Sequence, residues 1–191
     1  MPCFENFDLS VFPDEVPEGY RLTQKKLMEN LLYQAQNYSD GFPDNEKPNI
    51  LLLGKTGVGK TYLAMCIVRA VMDKGYAVLS TNAFGLFERL AQRLSGQDID
   101  LNHIRQADLL FIDDLGMEPV LNNFTIEYLF EILNARLLNR KNTIITSNLT
   151  AKELQERYTD RITSRLFDQA NSLVIYMPGK DLRLSKRQTK Q

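Results

Sequence analysis

Short apolar runs alternate along this chain with longer stretches whose apolar residues recur at helical spacing. Ile50 to Leu53 and Leu109 to Ile112 are runs of four apolar residues, each read as a strand buried on both faces. Tyr76 to Ser80, Asn142 to Asn148 and Ser172 to Tyr176 supply three more strands. Arg21 to Tyr38 carries Leu22, Leu27, Leu31, Leu32 and Tyr33 without a breaker and predicts an amphipathic helix. Helical spacing also marks Tyr62 to Met72, Asn82 to Leu94 and Asn122 to Arg140. Leu101 to Ala107 reads as one or two helical turns, and Ala151 to Tyr158 and Arg161 to Asp168 as short helices. The alternation predicts an α/β fold: a mainly parallel sheet of five strands with right-handed crossovers and helices on both faces. The strand ending at Asn148 is expected to lie between the Ile50 and Leu109 strands.

Residues 1–20 hold three prolines and scattered aromatics and read as an extended arm, residues 21–184 as one domain, and 185–191 as a basic tail. The arm's aromatics have two compatible uses, packing on the edge of the core or against an adenine ring. At 191 residues with 43% hydrophobic and 25% charged content, the chain can bury a substantial core. No apolar run approaches the roughly 20 residues of a membrane span, and no secretory signal is visible, so a cytoplasmic protein with no membrane partner is expected. Two cysteines, Cys3 and Cys66, make neither a disulfide framework nor a zinc site, and the single His103 has no such partner. A net charge of −1 argues against a surface built wholly for nucleic acid, while leaving room for a local basic groove.

The chemistry begins after the first apolar run. Gly54-Lys-Thr-Gly-Val-Gly-Lys-Thr61 matches G-x-x-x-x-G-K-[ST] in full, between a strand and a helix. Gly54, Gly57 and Gly59 allow consecutive N–H groups to converge on a phosphate, at a helix N-terminus that favours negative charge. Lys60 can reach the β- and γ-phosphates, and the Thr61 hydroxyl can ligate Mg²⁺. A second signature, Asp113-Asp114, closes a buried strand, where open α/β sheets bind their ligands. Asp113 is the expected Mg²⁺ partner, and Asp114 the residue that orients and deprotonates water. Asn148, at another strand end, can hydrogen-bond the γ-phosphate or that water; its bland alternative is a helix cap, for which Thr150 is better placed. Arg157, Arg161 and Arg165 recur every four residues, so a helix would line them up on one side. Such a row needs an anion, either Glu156 and Asp160 of this chain or the γ-phosphate of another subunit.

Together GKTGVGKT, LLFIDDLG with Glu118 just after it, EYLFEILNARLLNRKNTIITSNL, ERYTDRITSRLF and the closing PGKDLR resemble the AAA+ ATPases of the DnaC/DnaI helicase-loader group. The resemblance runs from Phe4 to Arg183, and the transposition helper ATPases of the IstB type share much of it. It implies an AAA+ core without a C-terminal helical lid. It places ATP or ADP on Gly54, Lys55, Thr56, Gly57, Val58, Gly59, Lys60, Thr61 and Tyr62. It makes Asp113 and Asp114 the Walker B pair, Asn148 sensor 1, Arg165 the arginine finger acting in trans with Arg161 as second choice, and Arg183 a terminal arginine near the nucleotide.

The implied activity is ATP hydrolysis, with a DnaB-type replicative helicase, single-stranded DNA and an ATP-dependent oligomer as partners. Loaders of this group carry a further N-terminal domain that grips the helicase, and only about 50 residues precede the phosphate loop here, so that contact is not read from this chain. Asn122, Asn123, Phe124, Tyr128, Arg140 and Lys141 are candidate DNA contacts, with Phe124 and Tyr128 equally suited to a core. The rival readings are an IstB-like transposition helper on duplex DNA, a nucleotide-gated DNA-binding scaffold with little turnover, and a small-substrate kinase. The last would need an arginine-bearing lid insertion that the sequence lacks.

Overall fold

The computed structural model describes residues 1–94, 101–118 and 122–183, with the backbone alone at 93–94 and 122–125. Asn122, Asn123 and Phe124 as DNA contacts, and the basic tail, therefore lie outside the described side chains and residues. Five strands form one parallel sheet: β1 (Asn49–Leu53), β2 (Val78–Asn82), β3 (Leu109–Asp113), β4 (Asn142–Ser147) and β5 (Ser172–Tyr176), in the order β2-β3-β4-β1-β5. β4 thus lies between β1 and β3, as expected. The helices are α1 (Gln24–Gly41), α2 (Lys60–Asp73), α3 (Ala83–Leu94), α4 (Asn102–Gln106), α5 (Asn122–Leu138), α6 (Ala151–Arg157) and α7 (Asp160–Leu166).

The apolar runs are continuous because both faces of the sheet are covered. In β1, Leu51 and Leu53 join one core cluster with Leu86, Leu90, Leu129, Ile132 and Ile162, while Ile50 and Leu52 join a second with Met28, Leu63, Ile67 and Phe12. β3 divides in the same way, Leu110 and Ile112 to the first cluster, Leu109 and Phe111 to the second. The first face carries α3, α5, α6 and α7; the second carries α1, α2 and the N-terminal segment. No described helix is long and apolar enough to cross a membrane.

Three sequence-based expectations need correcting. The second strand starts at Val78 because Val78 pairs with Leu109, while Tyr76 leaves the sheet to pack edge-on against Phe42, 4.8 Å between centroids. The first 20 residues are not simply extended: they form single 3-10 turns at Phe4–Asn6 and Leu9–Val11. Phe12 is buried there and stacks with Phe7 at 5.9 Å, which settles the core-edge use of these aromatics. Finally, the three arginines do not lie on one helix: Arg157 is apart from Arg161 and Arg165. α6 ends at Arg157 and α7 starts at Asp160, with extended Tyr158 and Thr159 between them.

Candidate functional site

The phosphate loop joins β1 to α2, and its glycines are required by what closes over it. A Cβ on Gly54 would lie 2.3 Å from the Met177 carbonyl oxygen. Gly57 has φ of 80°, and a Cβ there would run into the Asp181 carboxylate. The segment after β5 therefore lies on the loop, an arrangement pinned by the Leu182 N–H donating to the Gly57 carbonyl at 3.0 Å. Asp181 in turn holds Arg183, which donates to both carboxylate oxygens at 3.1 and 3.0 Å. That pairing holds the Asp181 carboxyl below its ordinary range and the Arg183 guanidinium above its own.

Lys60, first residue of α2, is 4% exposed. Its ammonium donates to the carbonyls of Gly54 (2.6 Å) and Lys55 (2.9 Å) and to Asn148 Oδ1 (2.7 Å). Burial pulls its pKa below the ordinary lysine value, an effect that Asp114 and then Asp113 oppose. Asn148 carries the connection onward: its Nδ2 donates to Asp114 Oδ1 at 3.0 Å. Asn148 is not a helix cap, because Thr150 caps α6 in a reciprocal capping box with Glu153.

Asp113 and Asp114, adjacent in sequence, are given different partners by backbone geometry. Asp113 Oδ1 accepts from Thr61 Oγ1 at 2.9 Å and from Thr146 Oγ1 at 2.6 Å. Asp114 takes a left-handed φ of 54°, and its N–H donates to the same Thr146 hydroxyl at 2.9 Å. Thr146 is fully buried in β4 and is the residue that seats both acids. The sequence reading did not single it out. A signal was present: a strand covered on both faces leaves any polar side chain within it in need of a partner.

A cleft of about 510 Å³ adjoins this network, lined by Lys60, Thr61, Asp114 and Asn148 together with Phe7, Asp8, Tyr62 and Arg183. Phe7 meets the Tyr62 ring edge-on at 5.4 Å, and the Tyr62 hydroxyl donates to the Asn6 carbonyl at 3.2 Å. The structure thus brings Gly57, Gly59, Lys60, Thr61, Tyr62, Asp114, Asn148 and Arg183 to one cleft, with Asp113 joined to it through Thr61. Arg161 and Arg165 do not line it. Arg161 lies over the Phe130 ring at 4.2 Å, and Arg165 donates to Asn134 Oδ1 at 3.1 Å. Arg157 finds its anion in Glu118 rather than in Glu156 or Asp160, and Glu156 pairs with Lys152. Of the candidate DNA contacts, Lys141 is paired with Asp108 at 2.8 Å and Tyr128 packs against the core.

Thr61 and Asp113 fit a magnesium ion: they present hard oxygen donors side by side. Among the described residues no cluster of three or more His, Cys, Asp or Glu could hold a metal alone. An ion here would therefore complete its shell with phosphate and water.

A model of a family described as IstB-like ATP binding protein matches residues 35–190. The chain is 30% identical over 149 residues to the phage-like element PBSX protein XkdC of Bacillus subtilis, covering 75% of this chain and 56% of XkdC. It is 31% identical over 179 residues to y4pL of Sinorhizobium fredii, an ATP-binding protein ascribed to an insertion sequence, covering 90% of this chain and 71% of that protein. A crystal structure of the DnaC helicase loader superposes with a TM-score of 0.69 at 24% identity, covering 90% of this chain and 98% of that one. The fold is therefore that of P-loop AAA+ proteins. The chain spans little more than half the length of XkdC.

Proposed function

The chain belongs to the IstB-like ATP binding protein family, and from that premise we propose that it hydrolyses ATP to ADP and phosphate within an assembly of its own kind. One observation carries this reading: the unbroken hydrogen-bonded series Lys60–Asn148–Asp114 lining the cleft. Amides of the phosphate loop and the N-terminus of α2 hold the triphosphate. All three protons of the Lys60 ammonium are engaged by acceptors, so turning to a β- or γ-phosphate oxygen exchanges one of these partners for a charge-assisted bond. Asn148 fixes the Asp114 carboxylate at the end of the row, where that carboxylate orients an attacking water and takes its proton. Thr61 and Asp113 would hold magnesium, which supplies charge neutralisation to the phosphates. Arg165 of a neighbouring subunit supplies positive charge to the transferring phosphoryl group, a role suited to an arginine that lies outside its own chain's cleft. Arg161 is the second choice.

The assembly's work is to help place a ring-shaped, DnaB-type replicative helicase on single-stranded DNA. The likeness in fold to a helicase loader and the sequence pattern shared with the DnaC/DnaI group support this reading. A second reading, a helper ATPase for transposition acting on duplex DNA, is supported by the match to y4pL over most of both chains. ATP turnover measured against protein concentration, with and without single-stranded DNA, tests the proposal. Turnover per subunit should rise with concentration. Tight ATP binding with no phosphate release at any concentration would replace the ATPase with a nucleotide-gated scaffold. Capture by a replicative helicase or by a transposase separates the two cellular readings.

A further inference from the structure

Glu118 is a carboxylate with 2% of its side chain exposed, outside the cleft and unused by the chemistry above. Its partners come from two directions. One oxygen accepts from the N–H of Gly116 at 2.8 Å, within the loop that begins at Asp114. The other accepts from the buried hydroxyl of Tyr158, and Arg157 lies 3.4 Å from it while donating also to the Glu118 carbonyl. Tyr158 stands at the break between α6 and α7, directly ahead of the helix that carries Arg161 and Arg165. A buried carboxylate of this kind is costly unless its partners hold it, and here they join the loop after β3 to the start of α7.

We infer that Glu118 is a positioning residue that couples the loop carrying Asp114 to the arginine-bearing helix α7, so that the state of one subunit's phosphate site sets the placement of the arginine it offers to the next. This rests on the proposed action of Arg165 in trans. The two ends of the coupling are not equally dependent on Glu118. At the near end, β4 also holds the loop: the Asp114 N–H donates to Thr146 Oγ1, the Leu115 N–H to the Thr146 carbonyl, and Ser147 Oγ to the Leu115 carbonyl. At the far end, Tyr158 and Arg157 both turn their polar groups to Glu118. Neutralising Glu118 therefore leaves Asp114 seated and loosens the α6–α7 junction just ahead of Arg161, while Ile162 and Leu166 keep α7 in the core.

The test uses mixed assemblies. Asp114→Asn subunits hold nucleotide without hydrolysing it and donate Arg165, and Arg165→Ala subunits hold nucleotide but donate no finger. Mixed, they should recover turnover that neither shows alone. Glu118→Gln is then placed in one member of the pair at a time. In the donor it should cut turnover roughly tenfold, the factor that about 1.4 kcal/mol represents, and in the hydrolysing member it should leave turnover within about twofold. Tyr158→Phe, which removes one hydroxyl and keeps the carboxylate, should show the same asymmetry more weakly, and thermal unfolding of each variant checks that it folds. Equal loss in both placements, or no loss in either, for both variants would overturn the inference and leave the trans arginine standing. A silent mixture without any change at Glu118 would overturn the trans arginine and the inference with it.

Discussion

Thr146→Val is the substitution that most directly probes how the acidic pair is seated. Valine preserves the shape of the side chain and removes its hydroxyl. Two interactions go at once: the 2.6 Å bond to the Asp113 carboxylate and the 2.9 Å bond from the Asp114 N–H. The first is to a charged group and is worth about 1.5–3 kcal/mol; the second leaves a backbone donor unsatisfied, costing about 1–3 kcal/mol. Both acids lie at a half-buried strand tip where water reaches part of the surface, so the net loss falls near the lower end, roughly 3 kcal/mol. For a chain of this size that lowers the melting temperature by about 6–12 °C. The functional effect has a separate cause. Asp114 sits at a left-handed φ of 54°, a conformation held by its surroundings. Without the hydroxyl the Asp114 N–H loses the acceptor that helps hold this turn, so the carboxylate is aimed less firmly and turnover should fall roughly tenfold or more. Nucleotide affinity should hold, because Lys60 and the loop amides do not touch Thr146. Thr146→Ser is the control: it keeps both bonds and loses a methyl worth about 0.8 kcal/mol. Urea unfolding and single-turnover phosphate release on the two variants decide the matter. If the valine variant matched the serine variant in both measurements, Thr146 would be mere filling between the strands.

Lys60→Ala should weaken ATP binding roughly 10- to 100-fold by removing a charge-assisted contact, measured by fluorescent nucleotide titration. Asp114→Asn suits the left-handed backbone and should keep that affinity while lowering phosphate release by roughly 100-fold or more. Arg136→Met should destabilise by at least about 4 kcal/mol. This fully buried guanidinium donates to the carbonyls of Ile104, Ala107 and Asn142 at 2.8, 2.9 and 2.5 Å and to Thr143 Oγ1 at 3.1 Å, all of which would lose their donor. Stability should fall as pH rises past 10. Burial pushes the Tyr38 and Tyr158 hydroxyls above their ordinary value of 10.0, so above that pH the unfolded chain loses two protons that the folded chain keeps. Arg136, pulled down to about 10 by burial, acts oppositely by one proton. The two tyrosines outweigh the one arginine, so the net change is a loss of stability with rising pH, and Tyr38→Phe should flatten it in alkaline urea titrations.

The strands that sequence placed best are those whose burial leaves no choice of residue. β1 and β3 are apolar at every central position because each packs on both faces, and their ends matched the sequence reading to within one residue. β2 was misplaced by two residues. It lies at the sheet edge, is partly exposed, and reads Val-Leu-Ser-Thr-Asn, so periodicity there is weak and the aromatic Tyr76 drew the expectation toward itself. The arginine row failed for a different reason. A four-residue spacing carries helical meaning only if the helix is continuous, and the two short helices read at Ala151 to Tyr158 and Arg161 to Asp168 already part Arg157 from the others; what sequence did not supply is the carboxylate, 40 residues earlier, that accepts from the Tyr158 hydroxyl. Local pattern holds no trace of a partner so distant.

The same reasoning explains which part of the cleft was legible. Gly54 to Thr61 is a contiguous motif whose chemistry depends on its own backbone, so reading it needed no tertiary information. The acidic pair and Asn148 were found because strand ends in a parallel sheet converge, a rule of topology rather than of residue type. What holds those groups in place was not found. Thr146 looks ordinary in sequence, a threonine in a strand, and Glu118 enters there only as part of a shared pattern; what each of them holds becomes visible only once burial is known. A hydroxyl that serves two acids and a carboxylate that joins two segments satisfy polar groups which the fold itself has enclosed. Residues proposed to meet a ligand carry their signal in local chemistry, whereas residues that hold them are defined by the packing around them, which is why Glu118 became visible only in the structure.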